Sequence, residues 1–257
     1  ETRAPLRCTA AKPLWEDREA DWKVEEFLHI ARAMEEAGEF DLVHNHYDFM
    51  PLYFTPFVKV PVLTTSHGFS SEKIKKVYRR YAALPHVHYV AISEADKDPG
   101  LPYLGVVHHG VDPRRFRVGE GGRPIQDGAY FQNEVAPLLG EGVEFLGPVD
   151  PETRQTLLDG AIALLHFVNF KEPFGLAPVE AMMSGVPVLA RPLGALPETV
   201  RHGETGFLVR DWEEALEHLE AVRRLDRWAI RRYAEARFSR ERMARDYLEL
   251  YRKVVGA

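Results

Sequence analysis

Ala161-Ile-Ala-Leu-Leu-His166-Phe167, and after it Glu172-Pro-Phe-Gly-Leu-Ala-Pro-Val-Glu180-Ala-Met-Met-Ser-Gly185-Val-Pro-Val, decide the fold class. The first run is apolar except for His166 and predicts a buried strand. Ala177–Ser184 predicts a helix closed by Gly185, and Pro187–Ala190 a second strand. Leu196–Arg201 adds a short helix. A strand, a turn, a helix and a strand in this order make a right-handed βαβ unit, hence a parallel sheet. Pro173 and Gly175 hold the turn, and Gly175 lets a ligand come close to the backbone. The helix that opens there offers free N–H groups and a dipole that favours a diphosphate. Glu172 ends the strand side and Glu180 lies in the first turns of the helix. Ligands of open α/β sheets bind outside the carboxyl ends of strands, so the two carboxylates flank one crevice.

The same rhythm extends in both directions. Thr153–Leu158 reads as a helix and Val143–Leu146 as a strand before it. In the first half, Asp41–His46, Pro61–Thr65, Val87–Ser93 and Leu104–His108 read as strands. A helix with the stripe Phe27, Leu28, Ala31 and Met34 precedes them, and one with Ile74, Val77, Tyr78 and Tyr81 lies among them. His108–Pro113 ends a strand and contains Gly and Pro, so it marks a domain boundary. Residues 1–110 are expected to form an N-terminal domain and 111–238 a C-terminal one. Residues 239–257 read as a helix with Ser239 as N-cap and a staple between Phe238 and Met243. Its apolar face, Met243, Tyr247, Leu250, Tyr251 and Val254, must pack on another part of the protein. The polar stretch 114–128 fits no strand or helix pattern.

Composition sets the outer bounds. The chain has 257 residues, 33 Lys+Arg against 39 Asp+Glu, a formal net charge of −6 and one cysteine. At 45% hydrophobic and 28% charged it is an ordinary globular composition. A lone Cys8 excludes an intramolecular disulfide framework and suits a reducing compartment. The acidic balance argues against general nucleic-acid binding. No apolar stretch approaches the roughly 20 residues of a membrane span. No leader is visible in the first residues, so a cytoplasmic location is expected. The basic run Lys73–Arg80 reads as a solvated helix face and leaves peripheral membrane contact open. His44 and His46 lie two apart on one strand, but no third ligand has metal-site spacing, so no metal is expected.

Glu172 to Glu180 resembles the E-x7-E motif of GT4-type retaining glycosyltransferases of the GT-B fold. Gly194-Ala-Leu-Pro-Glu198 and His202–Val209 match the stretch that comes after that motif in the family. Asp41–His46, Thr65–Gly68, Ala91–Ser93 and His109–Asp112 match stretches upstream, in the family's order. The resemblance implies two Rossmann-like domains with a cleft between them and a final helix that crosses back to the N-terminal domain. It implies a nucleotide-diphosphate sugar donor (a UDP- or GDP-sugar) and no required cofactor. Glu180 would hold the ribose. Glu172 would contact the donor sugar as a positioning and electrostatic residue. Backbone amides at Phe174, Gly175 and Leu176 would contact sugar and diphosphate. His67 would face the transferred sugar as a second catalytic residue, and His46 would line the acceptor side.

Two family features are not found. One is the opening strand with its glycine-rich turn. The other, around 118–125, is the strand whose Gly-Arg and following Lys-Gly neutralise the donor diphosphate; Arg123 lacks that context. Family segments are therefore expected to be missing and both domains incomplete. Two function classes remain: a retaining glycosyltransferase with an acceptor not readable from sequence, or a catalytically degenerate GT-B protein that acts as a binding or scaffold module.

Overall fold

A computed structural model describes residues 4–10, 12–17, 19–68, 71–119, 146 and 148–256. Arg123, nearly all of the expected strand at 143–146 and most of the polar stretch lie outside the described residues. Two compact units are present. Unit 1 takes in the residues up to Ala91, Lys97–Val106 and Glu249 onward; unit 2 takes in Ile92–Asp96 and Val107–Leu248.

Unit 1 carries a parallel sheet of β1 (Val43–Asn45), β2 (Val62–Ser66), β3 (Val87–Ala91) and β4 (Tyr103–Val106), in that spatial order. Every β2 residue is buried, so this strand has no polar alternation. α1 (Trp22–Glu35) starts at Asp21, whose carboxylate accepts from the amides of Lys23 and Val24. The expected stripe on α1 is only partly correct. Ile30 and Met34 are buried, but Phe27 and Leu28 are exposed. The helix packs on a 3-10 segment, Met50–Phe57, and that contact sets which face is covered.

α2 (Lys75–Tyr81) buries Tyr78 and Tyr81. Its basic face is not simply solvated, as the sequence suggested. Arg79 donates to Asp98 at 2.7 and 2.9 Å, and Lys75 lies 3.4 Å from the same carboxylate. Asp98 is buried, and its two cationic neighbours with the Gly100 amide hold its carboxyl below the usual range against the opposing effect of burial.

Unit 2 carries, among the described residues, a parallel sheet of β5 (Leu164–His166), β6 (Val188–Ala190) and β7 (Gly206–Leu208) in that order. α3 (Pro151–Gly160) precedes β5 and is capped by Asp150, which accepts from Glu152 and Thr153. β5 is shorter than expected because Ala161 caps α3: its amide donates to the Leu158 carbonyl. α4 (Leu176–Met183) joins β5 to β6 and ends in a Schellman turn, with Gly185 N–H to Met182 O and Val186 N–H to Ala181 O. Residues 181–190 are all buried. This accounts for the unbroken apolar run: α4 packs between β5, β6 and α8 (Arg227–Phe238). α5 is Leu196–Thr199, α6 Trp212–Glu217 and α7 Leu219–Arg223.

α9 (Arg240–Val255) carries the chain from unit 2 back into unit 1. The Ser239 hydroxyl accepts from the Arg242 amide, so the N-cap forms as the sequence predicts. Its apolar face finds its partners within each unit. In unit 2 Met243 Sδ lies 3.1 Å from the Gly110 amide, and in unit 1 Leu250 packs over Gly105 and the Tyr251 hydroxyl meets His44. No helix among the described residues is long and apolar enough to cross a membrane.

Candidate active site

β5 and α4 build the site in unit 2. β5 ends at His166, level with Ala190 of β6. The chain then turns through Glu172–Phe174, and Gly175 opens α4 at φ 90°, in the left-handed region. No side chain among the described residues caps α4 there. The first N–H groups of a helix have no intrahelical partner, so the amides at 175–177 stay available. A Cβ at position 175 would come within 3.3 Å of Leu196 and 3.4 Å of the Glu172 side chain, which leaves little room for anything but glycine.

Each motif glutamate is held by a side chain outside the motif. The Glu172 carboxylate lies 3.1 Å from His166 Nε2 through Oε2, and both groups are part-buried. Its backbone carbonyl accepts from the Ala195 amide at 2.8 Å, so the 193–195 loop lies directly against it. Glu180 pairs with Arg154 of α3, Nη1 to Oε2 at 3.0 Å. In both glutamates Oε1 has no partner among the described residues. Phe174 is buried rather than free, its ring 5.1 Å from His109 and 5.9 Å from Phe238. Leu176 is exposed. The structure therefore brings Glu172, Phe174, Gly175, Leu176 and Glu180 together at one helix start.

Three further stretches that the sequence singled out converge beneath this turn. Ser93 Oγ donates to the Pro173 carbonyl at 2.7 Å. The Glu198 carboxylate accepts from the amides of Glu94 and Ala95 at 2.9 and 2.7 Å, and His108 Nε2 lies 3.3 Å from it. Burial lowers His108 below the ordinary histidine value, and Glu198 opposes that shift.

Unit 1 holds His44, His46 and His67. The His46 and His67 rings share a 2.9 Å hydrogen bond, Nδ1 to Nε2. The His44 and His46 ring centroids are 3.9 Å apart. His44 also meets Tyr251 Oη at 2.6 Å and Thr65 Oγ1 at 2.8 Å. His46 and His67 line a cavity of about 430 Å³ that includes Asp48. Asp48 has φ 67°, the one non-glycine described with positive φ, and accepts from the Tyr78 hydroxyl at 2.8 Å. Strained backbone of this kind gathers at functional sites. No group of three His, Cys, Asp or Glu among the described residues is arranged to hold a metal ion.

Burial, and then repulsion from His46 and His67, pushes His44 down to about 3. The unfolded ring titrates near 6.5. Its folded value is depressed, so below about pH 6.5 the unfolded state binds more protons and stability falls as pH falls. At pH 5 this one ring is expected to cost about 2 kcal/mol. Denaturant melts at pH 7 and pH 5 on the wild type and His44→Gln check it: the variant should lose distinctly less between the two pH values. Equal losses would remove His44 from the account.

Residues 112–225 match the family described as "Glycosyl transferases group 1". A D-inositol 3-phosphate glycosyltransferase of Nocardia farcinica is 42% identical over 153 residues, 54% of this chain and 34% of that protein. One from Mycobacterium bovis is 36% identical over 316 aligned positions, which take in 88% of this chain and 64% of that protein. That alignment is longer than this chain's 257 residues, so the relative has residues opposite gaps here. The chain spans less than two thirds of either relative's length. Among solved structures, Anabaena Alr3699/HepE in complex with UDP superposes with a TM-score of 0.70 at 20% identity, covering 89% of this chain and 83% of that one. Over residues 112–225 the chain is thus similar to group 1 glycosyl transferases, its relatives of 36–42% identity are glycosyltransferases, and its fold is that of the GT-B structures it superposes on.

Proposed function

We propose that the protein is a retaining glycosyltransferase that takes a sugar from a nucleotide-diphosphate donor, a UDP- or GDP-sugar, bound on unit 2. The observation that carries this is the uncapped start of α4 framed by Glu172 and Glu180, each with one carboxylate oxygen unoccupied by a protein group among the described residues. The HepE structures with UDP and with UDP-glucose support the donor class.

Sugar transfer passes through an oxocarbenium-like state as a diphosphate leaves. The α4 amides and dipole stabilise the leaving charge. Amides at Phe174, Gly175 and Leu176 contact sugar and diphosphate, and Glu180 takes the ribose hydroxyls. Glu172 Oε1 accepts from a donor-sugar hydroxyl and fixes the ring, while attack comes from the face the phosphate leaves, with that phosphate as base. His67 serves the transferred sugar and His46 the acceptor side. The test is turnover of UDP- and GDP-sugars, followed by NMR of the anomeric proton of the product. Retention with Glu172-dependent turnover supports the assignment; inversion, or turnover indifferent to Glu172→Ala, contradicts it. Nucleotide binding with no turnover under any acceptor would favour the binding-module alternative.

A further inference from the structure

Glu180 does not stand alone on α4. Arg154, in the first turn and a half of α3, forms an ion pair with its Oε2, Nη1 to Oε2 at 3.0 Å, and the guanidinium lies 5.6 Å from the centre of the Phe116 ring. Helices that precede and follow a parallel strand start at the strand's carboxyl end. The starts of α3 and α4 therefore share the end of the sheet where a nucleotide would sit. Neighbouring arginines are committed elsewhere. Arg117 pairs with Asp159, Arg227 donates to the carbonyls of Ala161 and Leu158, and Arg231 to those of Phe116, Met183 and Pro113. Arg154 differs in that its ion-pair partner is a glutamate of the proposed site.

We propose that Arg154 is a positioning residue for the nucleotide ribose: by fixing Glu180 Oε2 it turns Oε1 toward the ribose hydroxyls. The inference rests on the ribose role of Glu180 given above. An ion pair at this distance draws one carboxylate oxygen to the guanidinium, which leaves the other oxygen to face a ligand. The pair is partly exposed, and such pairs add little to stability, so its loss should leave the fold intact.

The test is calorimetric titration with whichever of UDP and GDP binds, with its parent nucleoside and with its 2′,3′-dideoxy diphosphate. The proteins are wild type, Arg154→Ala, Arg154→Lys, Glu180→Gln and the Arg154→Ala/Glu180→Gln double variant. A thermal melt of each variant confirms folding, and Arg154→Lys stands in if the alanine variant melts early. Arg154→Ala is expected to weaken nucleoside and diphosphate alike, roughly tenfold, as loss of a charge-assisted contact does. The dideoxy ligand should be nearly indifferent, and the double variant should lose little beyond Glu180→Gln. Loss confined to phosphate-bearing ligands, the dideoxy one included, would overturn the proposal in favour of a phosphate contact. Undiminished nucleoside binding in Arg154→Ala would overturn it outright. If Glu180→Gln itself changes nothing, the ribose role of Glu180 fails first, which separates the two claims.

Discussion

Glu172→Ala is expected to slow sugar transfer by about 10²–10³-fold, the scale on which removal of one preorganised electrostatic contact acts, with nucleotide binding nearly unchanged. The asymmetry follows from the geometry. Glu172 lies on the strand side of the turn, held at Oε2 by His166 and at its backbone carbonyl by the Ala195 amide. Oε1 is left to a ligand hydroxyl, and a hydroxyl held in place gains most when the sugar ring flattens in the transition state. Glu180, on the helix side, serves the nucleotide. Steady-state turnover and nucleotide titration on Glu172→Ala and Glu180→Ala should therefore split: the first loses rate, the second loses affinity. Equal loss of affinity in both would show that Glu172 is part of the nucleotide site.

Gly194→Ala is expected to destabilise unit 2 by about 3 kcal/mol or more, the sum of left-handed strain and a backbone collision. Gly194 has φ 60°. A Cβ there would stand 2.3 Å from the Glu172 carbonyl oxygen and 2.4 Å from its amide nitrogen, so backbone would have to move. For a chain of this size that corresponds to roughly 6–12 °C in Tm. Gly203 is the control: φ is 80°, but a Cβ there meets nothing within 4 Å. Gly203→Ala should cost only the strain, about 1–2 kcal/mol. Because the collision falls on Glu172 itself, Gly194→Ala should also lose turnover beyond its loss of stability, measured well below its melting point. Equal Tm values for the two variants would mean that the 194 loop gives way freely.

The parts of this fold legible in the sequence are those set by local pattern. Val188–Ala190 is an apolar run and Val62–Thr65 a largely β-branched one, each between turn residues, and Ser239 and Gly185 punctuate helices at the expected places. The Glu172–Glu180 turn is legible because proline, glycine and helix formers stand in fixed order there. The contacts that escape a reading of the sequence join distant positions through common residue types. Nothing in the sequence marks Arg154 as Glu180's partner, or Glu198 as the acceptor for the amides of Glu94 and Ala95 about 100 residues earlier. Lys75 and Arg79 look solvated in sequence because buried Asp98, which answers them, lies about 20 residues on. The stripe on α1 fails at Phe27 and Leu28 because periodicity gives a face but not what covers it. His166 does carry a signal: it is a polar residue ending an apolar strand, six positions before the first glutamate.

The central claim is that unit 2 holds a nucleotide-diphosphate sugar at the start of α4, between Glu172 and Glu180. Its most direct test is titration of the protein with UDP-, GDP- and other nucleotide-sugars, repeated on Glu180→Gln. One nucleotide class should bind, and the variant should bind it roughly tenfold more weakly. Binding of no nucleotide-sugar, or binding of the same strength in Glu180→Gln, would contradict the claim.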